Sequence, residues 1–449
     1  MEPDVPRIAI IGLGSAGYAA LMTARRLAPG AELIVVDPKE RDLMHPCGLP
    51  YSLEGRVSDA DLCQDIFLDR MGATKRRARA VCIDPEKRMI RAAEGDADIE
   101  IGFDAVIIAS GSRPVIPPVQ GVEKALGRGL FPLATVEDLL KIRERISGAD
   151  RGVVIGAGAI GLESAVALRR HLGKVTVLEA KGQALPGVLD ADMAKIVEEH
   201  LRRLGIDLVL DSAAEECLCE DSLRGVLASG KIHDAEIGIL ATGFRADASI
   251  AVKSGIECGA FGIRVDEAMR TSMQGVYAAG DCISAWSVID KKEIPVKLAT
   301  CAYKQGQAAG ANAAGGDAVY RGTAATFVTK LGSLEIAGTG FSTGTAGARG
   351  FEPVSGKLRA GILPDYFHGE DDITIKIICD KSSGRVLGAQ AIGRRGAAER
   401  INIISMAIEY GIGARDLDRA ELAYCPAVSE VLDPLHKALE FAIRRMNPK

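Results

Sequence analysis

The strongest constraint on this chain is a pattern that it contains twice. Arg7–Gly12 (RIAIIG) is a short, largely apolar run that passes directly into Gly12-Leu13-Gly14-Ser15-Ala16-Gly17. A helical stretch to Leu27 follows, then a second apolar run, Glu32–Val36, ending on Asp37. Arg151–Ile155 leads in the same way into Gly156-Ala157-Gly158-Ala159-Ile160-Gly161, a helix towards His171, and Lys174–Leu178 ending on Glu179. A lone G-x-G-x-x-G says little. Strand, glycines, helix, strand and acid in that order, with the acid about 20 residues beyond the glycines, specify a unit that binds a dinucleotide. The glycines let the backbone approach a pyrophosphate resting on the helix N-terminus, and the acid accepts hydrogen bonds from a ribose. Two such units imply two dinucleotides, and the expected pair is a tightly held FAD and an exchanging nicotinamide. Glu179 repels a 2′-phosphate and so favours NADH, while Lys181 beside it leaves room for NADPH.

The 449 residues are enough for two or three domains. Each glycine unit is followed by an apolar strand that ends in a small polar turn, Asp104–Arg113 and Glu236–Arg245. Gly275–Cys282 (GVYAAGDC) then sets Asp281 just past a strand, where it can hold a flavin's ribityl chain. Pro295–Gly315 reads as a helix rich in small residues, which permits close packing, and its N-terminal dipole suits negative charge on a flavin ring. A net charge of −5 with interspersed signs excludes a nucleic-acid footprint. No apolar run approaches the ~18 residues that span a bilayer. The opening residues enter a strand at once, so no secretory leader is expected. The ten cysteines lack a C-x-x-C pair or zinc spacing, so reduced thiols in the cytoplasm are expected and no metal site. Cys217 and Cys219 read as strand residues on one face. Cys301 reads as a buried helix residue. His171, His200, His233, His368 and His436 have no partners at ligand spacing.

Between the two units in function lies Asp37–Gly55, DPKERDLMHPCGLPYSLEG, centred on Cys47. Gly48 and Pro50 turn the chain sharply after it, ahead of Tyr51. A cysteine beside a turn is more often a buried small hydrophobe than a nucleophile. Its place just past an expected flavin site argues the other way, with His45 as a candidate proton donor.

Both fingerprints, GVYAAGDC, KLATCAYKQGQAAG and the segments Thr323–Gly340, Gly388–Glu399 and Ala423–Leu435 together resemble the pyridine nucleotide-disulfide oxidoreductases. The resemblance is to their single-cysteine branch, which includes coenzyme A-disulfide reductases, NADH oxidases and persulfide reductases. It implies an α/β chain with two doubly wound (Rossmann-like) domains and an α+β C-terminal dimerisation domain. The expected boundaries are 1–114 with 248–325 for FAD, 115–247 for NAD(P)H, and 326–449 for dimerisation. It further implies FAD contacts at Val81, Ser110, Gly111, Arg113, Gly280, Asp281, Leu298, Ala299 and Thr300, with Glu163 and Gly243 on the nicotinamide side. Arg25 and Arg26 match a basic pair that touches coenzyme A phosphates, and Tyr366 and Tyr424 match two substrate-site tyrosines.

By the same resemblance Cys47 is the redox cysteine, with Ser52 where two-cysteine relatives carry a partner. A single thiolate then works through a mixed disulfide, a persulfide or a sulfenic acid. The departures fall at the substrate pocket. Leu43 and Pro46 stand where the family has serine and asparagine, and its Tyr-Ala-Pro-Pro is Tyr424-Cys425-Pro426-Ala427. Cys425 is therefore a candidate second thiol acting on Cys47 of the other subunit of a homodimer. The expected reaction is NAD(P)H-dependent reduction of a small disulfide such as that of coenzyme A. Persulfide or polysulfide and dioxygen are alternative acceptors, and a flavin redox sensor that does not turn over is the reading from a different class.

Overall fold

The computed structural model describes residues 5–367 and 371–446. It divides into two compact units, each discontinuous in sequence. The first is Met1–Pro46, Ser58–Val115 and Phe244–Thr323; the second is Cys47–Val57, Ile116–Gly243 and Ala324–Lys449.

The first unit is built on a five-stranded parallel sheet ordered Val276–Ala278, Ala105–Ile108, Arg7–Ile11, Glu32–Val36, Ala73–Arg76. Its central strands are buried along nearly their whole length, which is why they read as continuous apolar runs. The helix Ser15–Leu27 packs on the helix Ala299–Ala313. Gly306 and Gly310 press on the backbone at Ala16 and Ala20, where any Cβ would strike a carbonyl. That close approach is what the small residues of the Ala299–Ala313 stretch are for.

The second unit repeats the plan. Its parallel sheet is ordered Leu130–Pro132, Ile237–Leu240, Arg151–Ile155, Lys174–Leu178, Ile206–Val209. Beside it lies an antiparallel five-stranded sheet ordered Phe327–Leu331, Leu334–Gly340, Val386–Gly393, Asp372–Asp380, Pro353–Gly361. The helix Pro434–Met446 packs on its edge strand at Gly356, which lies against Ala438 and Ala442. An ion cluster joins the two sheets' layers: the buried Lys376 pairs with both Asp190 and the exposed Asp192 at 2.8 Å. Among the described residues no helix is long and apolar enough to cross a membrane.

The C-terminal part of this unit exposes large apolar side chains: Met406 (60%), Tyr410 (70%), Val428 (69%) and Val431 (67%). A second copy of the chain is expected to cover them, since water contact with so much apolar surface is otherwise unrelieved. Sedimentation velocity should report a dimer, and Val428→Asp with Val431→Asp should shift it towards the single chain. A wild type of single-chain mass at micromolar concentration would contradict this.

Candidate active site

The two glycine loops are built alike. Gly12 and Gly156 have φ of 94° and 109°, in the left-handed region, and a Cβ on either would meet the carbonyl of Ala109 or Ala241. Gly14 and Gly158 have open space on their Cβ side. Gly17 and Gly161 are buried under the loop against the carbonyls of Gly12 and Gly156. Ser15 and Ile160 are exposed at the two helix starts, with Ala16 buried and Ala159 half-buried beside them. Each unit's acid closes its own loop. Asp37 accepts from the Leu13 N–H at 2.6 Å and the Lys39 N–H at 2.8 Å. Glu179 accepts from the Ala157 N–H at 2.7 Å and the Lys181 N–H at 2.9 Å. Both carboxylates are buried, and both hold the loop in place.

In the first unit the turn after Ala105–Ile108 meets the Asp281 turn. Ser112 donates to Asp281 at 2.8 Å, Ser110 donates to the Asp247 carbonyl at 2.6 Å, and Arg113 pairs with Asp247 at 2.6 Å. Burial pushes the Asp281 carboxyl up, against the Ser112 hydrogen bond and the nearby Lys297 charge. Burial likewise pulls Lys297 down, against the attraction of Asp281. Gly280 donates its N–H to Gln305 at 2.9 Å. Leu298 caps the helix Ala299–Ala313, whose first residues, Ala299 and Thr300, are exposed. Gly111 sits at φ 73° with nothing on its Cβ side. Val81 lies at a β-bulge between Ala80 and Cys82, which leaves it out of the ladder. A backbone cradle with open glycines, exposed small residues at two helix starts and a mostly buried carboxyl fits FAD.

In the second unit Cys47 is exposed within the turn Pro46–Gly48, which runs into the short helix Leu49–Leu53. This segment is fastened at several points. Arg143 donates to the Ser52 carbonyl at 2.5 Å, Arg170 pairs with Glu54 at 2.8 Å, and the His171 ring meets the Leu53 carbonyl at 2.9 Å. The Ser52 hydroxyl donates to Val57 at 2.9 Å. Glu163, on the helix Ala159–Arg169, receives two hydrogen bonds on Oε1, from Thr329 at 2.5 Å and Tyr51 at 3.2 Å. Burial pushes Glu163 up, opposed by these two donors. Burial and then the Glu163 charge push the Tyr51 phenol up to about 12. Gly243 is exposed at φ 97° after Ile237–Leu240. In the first unit His45 is exposed, its N–H bonded to the Leu62 carbonyl at 2.8 Å.

The structure separates the basic pair. Arg25 is tied to three backbone carbonyls, those of Met71, Pro29 and Gly72, at 2.9, 2.5 and 2.7 Å. Arg26 is exposed. Tyr366 and Tyr424, both exposed, come together: the hydrogen bond that the Tyr424 hydroxyl gives to Tyr366 is the main cause that pushes the Tyr424 phenol up. Cys425 is exposed beside them. The remaining candidates are structural. His171, His200 and His436 each bond a backbone carbonyl, and His368 lies outside the described residues. Cys217 is buried, its thiol pushed up to about 11 by burial first. Burial also raises Cys301, whose Sγ lies 3.1 Å from the Thr323 hydroxyl. Sequence reasoning did not assign Thr329, Lys297 or the hydrogen bond of Tyr51. Tyr51 was visible in the turn after Cys47; Thr329 had no local signal.

The chain matches the pyridine nucleotide-disulphide oxidoreductase family over residues 6–306 and that family's dimerisation domain over residues 326–436. It belongs to this family, and it is an FAD-dependent oxidoreductase that uses NAD(P)H. An NADH oxidase of Methanocaldococcus jannaschii is 34% identical over 455 residues, 99% of this chain and 100% of the relative. A CoA-dependent NAD(P)H sulfur oxidoreductase of Pyrococcus furiosus is 30% identical, over 96% of this chain and 97% of its own. The solved structure of an NAD-dependent persulfide reductase from A. fulgidus superposes with a TM-score of 0.93 at 32% identity, covering 98% of this chain and 83% of that one.

Asp281→Ala is expected to weaken FAD retention, since a hydrogen bond to a charged group is typically worth ~1.5–3 kcal/mol. Flavin content after dialysis, read from the visible spectrum, measures it. Full retention in the variant would remove Asp281 from the cradle.

Proposed function

We propose that the chain reduces a small-molecule disulfide, of the coenzyme A disulfide type, through Cys47 as its single redox cysteine. The carrying observation is accessibility: of the ten cysteines, Cys47 and Cys425 are the exposed ones. A thiol must meet the substrate's sulfur to exchange with it, and the other eight are buried or partly buried. Ser52, with its hydroxyl held by the Val57 carbonyl, provides no second thiol five residues on. Bound FAD supplies a two-electron relay between NAD(P)H and sulfur. On the protein, the Cys47 thiolate attacks one sulfur of the disulfide, forms a mixed disulfide and expels the first thiolate. Two electrons then cleave that bond, the second thiolate leaves, and Cys47 is a thiolate again.

The same steps on a hydropersulfide release sulfide, and the persulfide and sulfur reductases among the relatives favour that as the second reading. In this reading Asp37, Asp281 and residues 298–300 belong to an FAD domain of 1–114 and 248–325. Glu163, Glu179 and Gly243 belong to a nicotinamide domain of 115–247, and 326–449 supports the dimer. Arg26, Tyr366 and Tyr424 are the substrate-side residues, with Arg26 the exposed cation of its pair. Cys425 stands beside the tyrosines as a resolving thiol for the partner subunit's nucleophile.

Steady-state NADH consumption with coenzyme A disulfide, with coenzyme A persulfide and with dioxygen alone tests this. Cys47→Ser should lower disulfide- and persulfide-dependent turnover more than about 10³-fold. One stoichiometric reduction followed by arrest in the wild type would make the protein a sensor. Wild-type turnover in Cys425→Ala would remove the resolving role.

Glu179 carries negative charge at the ribose position and favours NADH. Its two oxygens are already held by backbone N–H groups, so it cannot swing away from a 2′-phosphate. The ratio of kcat/KM for NADH over NADPH should exceed one and narrow in Glu179→Ala. Equal values in the wild type would show that Lys181 cancels the acid.

A further inference from the structure

The segment that carries Cys47 interrupts the first unit in sequence yet belongs to the second in space. Its attachments fall into two groups. The contacts of Ser52, Leu53 and Glu54 with Arg143, His171 and Arg170 fix its carboxyl end. Tyr51, about one helical turn beyond Cys47, makes a different attachment: its phenol donates to Glu163 Oε1 and accepts from the Lys330 backbone. Glu163 is the fifth residue of the helix Ala159–Arg169 that begins at the second glycine loop. Thr329, from the strand Phe327–Leu331, donates to the same oxygen from the other side. Three elements distant in sequence therefore meet at one carboxyl oxygen, and one of them leads back to the cysteine.

We propose that Tyr51 is a positioning residue that makes the reactivity of Cys47 depend on occupancy of the nicotinamide site. This rests on the reading of Cys47 and Glu163 given above. A nicotinamide dinucleotide at the second glycine loop contacts the start of the helix that bears Glu163. Any shift in that carboxyl changes its hydrogen bond to Tyr51, and Tyr51 is rigidly part of the short helix that follows Cys47. Thr329 holds the Glu163 carboxyl from the strand side, and the Lys330 N–H holds the Tyr51 phenol at the junction, so a shift of the carboxyl is felt as a change in the Tyr51 hydrogen bond. With the phenol pushed up to about 12, Tyr51 is a donor at neutral pH. Coupling free energies between sites typically correspond to factors of ~5–150, and a single hydrogen bond belongs at about the lower end.

The test uses the oxidised FAD-loaded enzyme. The rate of Cys47 alkylation by iodoacetamide is followed by peptide mass spectrometry with and without saturating NAD⁺. The wild-type rate should change about fivefold on adding NAD⁺. Tyr51→Phe keeps the ring and its packing, and should bind NAD⁺ with a Kd close to wild type while losing the NAD⁺ effect on alkylation. A Tyr51→Phe enzyme that responds like the wild type overturns the proposal, and so does a wild type with no response. If Tyr51→Phe fails to accumulate as a folded flavoprotein, Thr329→Val is read in the same assay, and a wild-type response there overturns the proposal too. The assay also separates the two readings. Full disulfide turnover in Cys47→Ser defeats the proposed function, whereas a wild-type NAD⁺ response in Tyr51→Phe defeats only the coupling.

Discussion

Everything in this molecule depends on a short bond made twice, from a buried carboxylate at the end of the second strand to a backbone N–H inside a glycine loop. Asp37 holds Leu13, and Glu179 holds Ala157. The loop needs positive φ at its first glycine and a bare Cβ position at its second, so it has little packing of its own. The acid supplies what packing cannot. A charge-assisted hydrogen bond in a buried site fixes the loop over the helix start, where a pyrophosphate is to rest. In the proposed reading the same acid stands at the ribose position, so that loop geometry and cofactor choice are set by one group. That explains why an acid is required there even though its own oxygens are already occupied.

Two copies of this device allow division of labour. The first unit pairs its cradle with Asp281 and the exposed start of the helix Ala299–Ala313, which suits a cofactor that stays. The second unit pairs its loop with the Tyr51–Glu163–Thr329 junction and carries the Cys47 segment. The sequence order hides this: Cys47 precedes by roughly a hundred residues the loop of the unit it packs with. Threading residues 47–57 out of one unit and into the other gives the proposed redox cysteine and the second glycine loop a common frame. Arg143, Arg170 and His171 do the fastening, all from helical or post-helical positions of the second unit.

Much of this was legible in the sequence, for physical reasons. Parallel strands buried on both faces are apolar throughout, so Arg7–Ile11 and Arg151–Ile155 announced themselves, and glycines at fixed spacing marked where the backbone must turn or approach. Cys47 and Cys425 were readable as candidates because one follows an expected flavin site at the place of the family's redox cysteine and the other departs from the family's Tyr-Ala-Pro-Pro beside Tyr424. The tertiary pairings were not readable. Nothing local to Thr329 predicts that its hydroxyl reaches Glu163, and a basic pair such as Arg25–Arg26 looks uniform until Arg25 is found bound to three carbonyls. The ion cluster of the buried Lys376 was also missed, because a lysine in an apolar strand has no local signal for the two aspartates that it meets. Local pattern encodes the elements; which polar side chains meet across them depends on distances that only the folded chain sets.

In the proposed function, electrons leave the protein through a covalent bond to Cys47 sulfur. The most direct measurement is peptide mass spectrometry of the enzyme treated with coenzyme A disulfide, first without NADH and then after one equivalent is added under anaerobic conditions. The account predicts one coenzyme A adduct per chain on Cys47 in the first sample and its loss in the second. An unmodified Cys47 in an enzyme that turns over the disulfide, or an adduct that NADH does not remove, would contradict it.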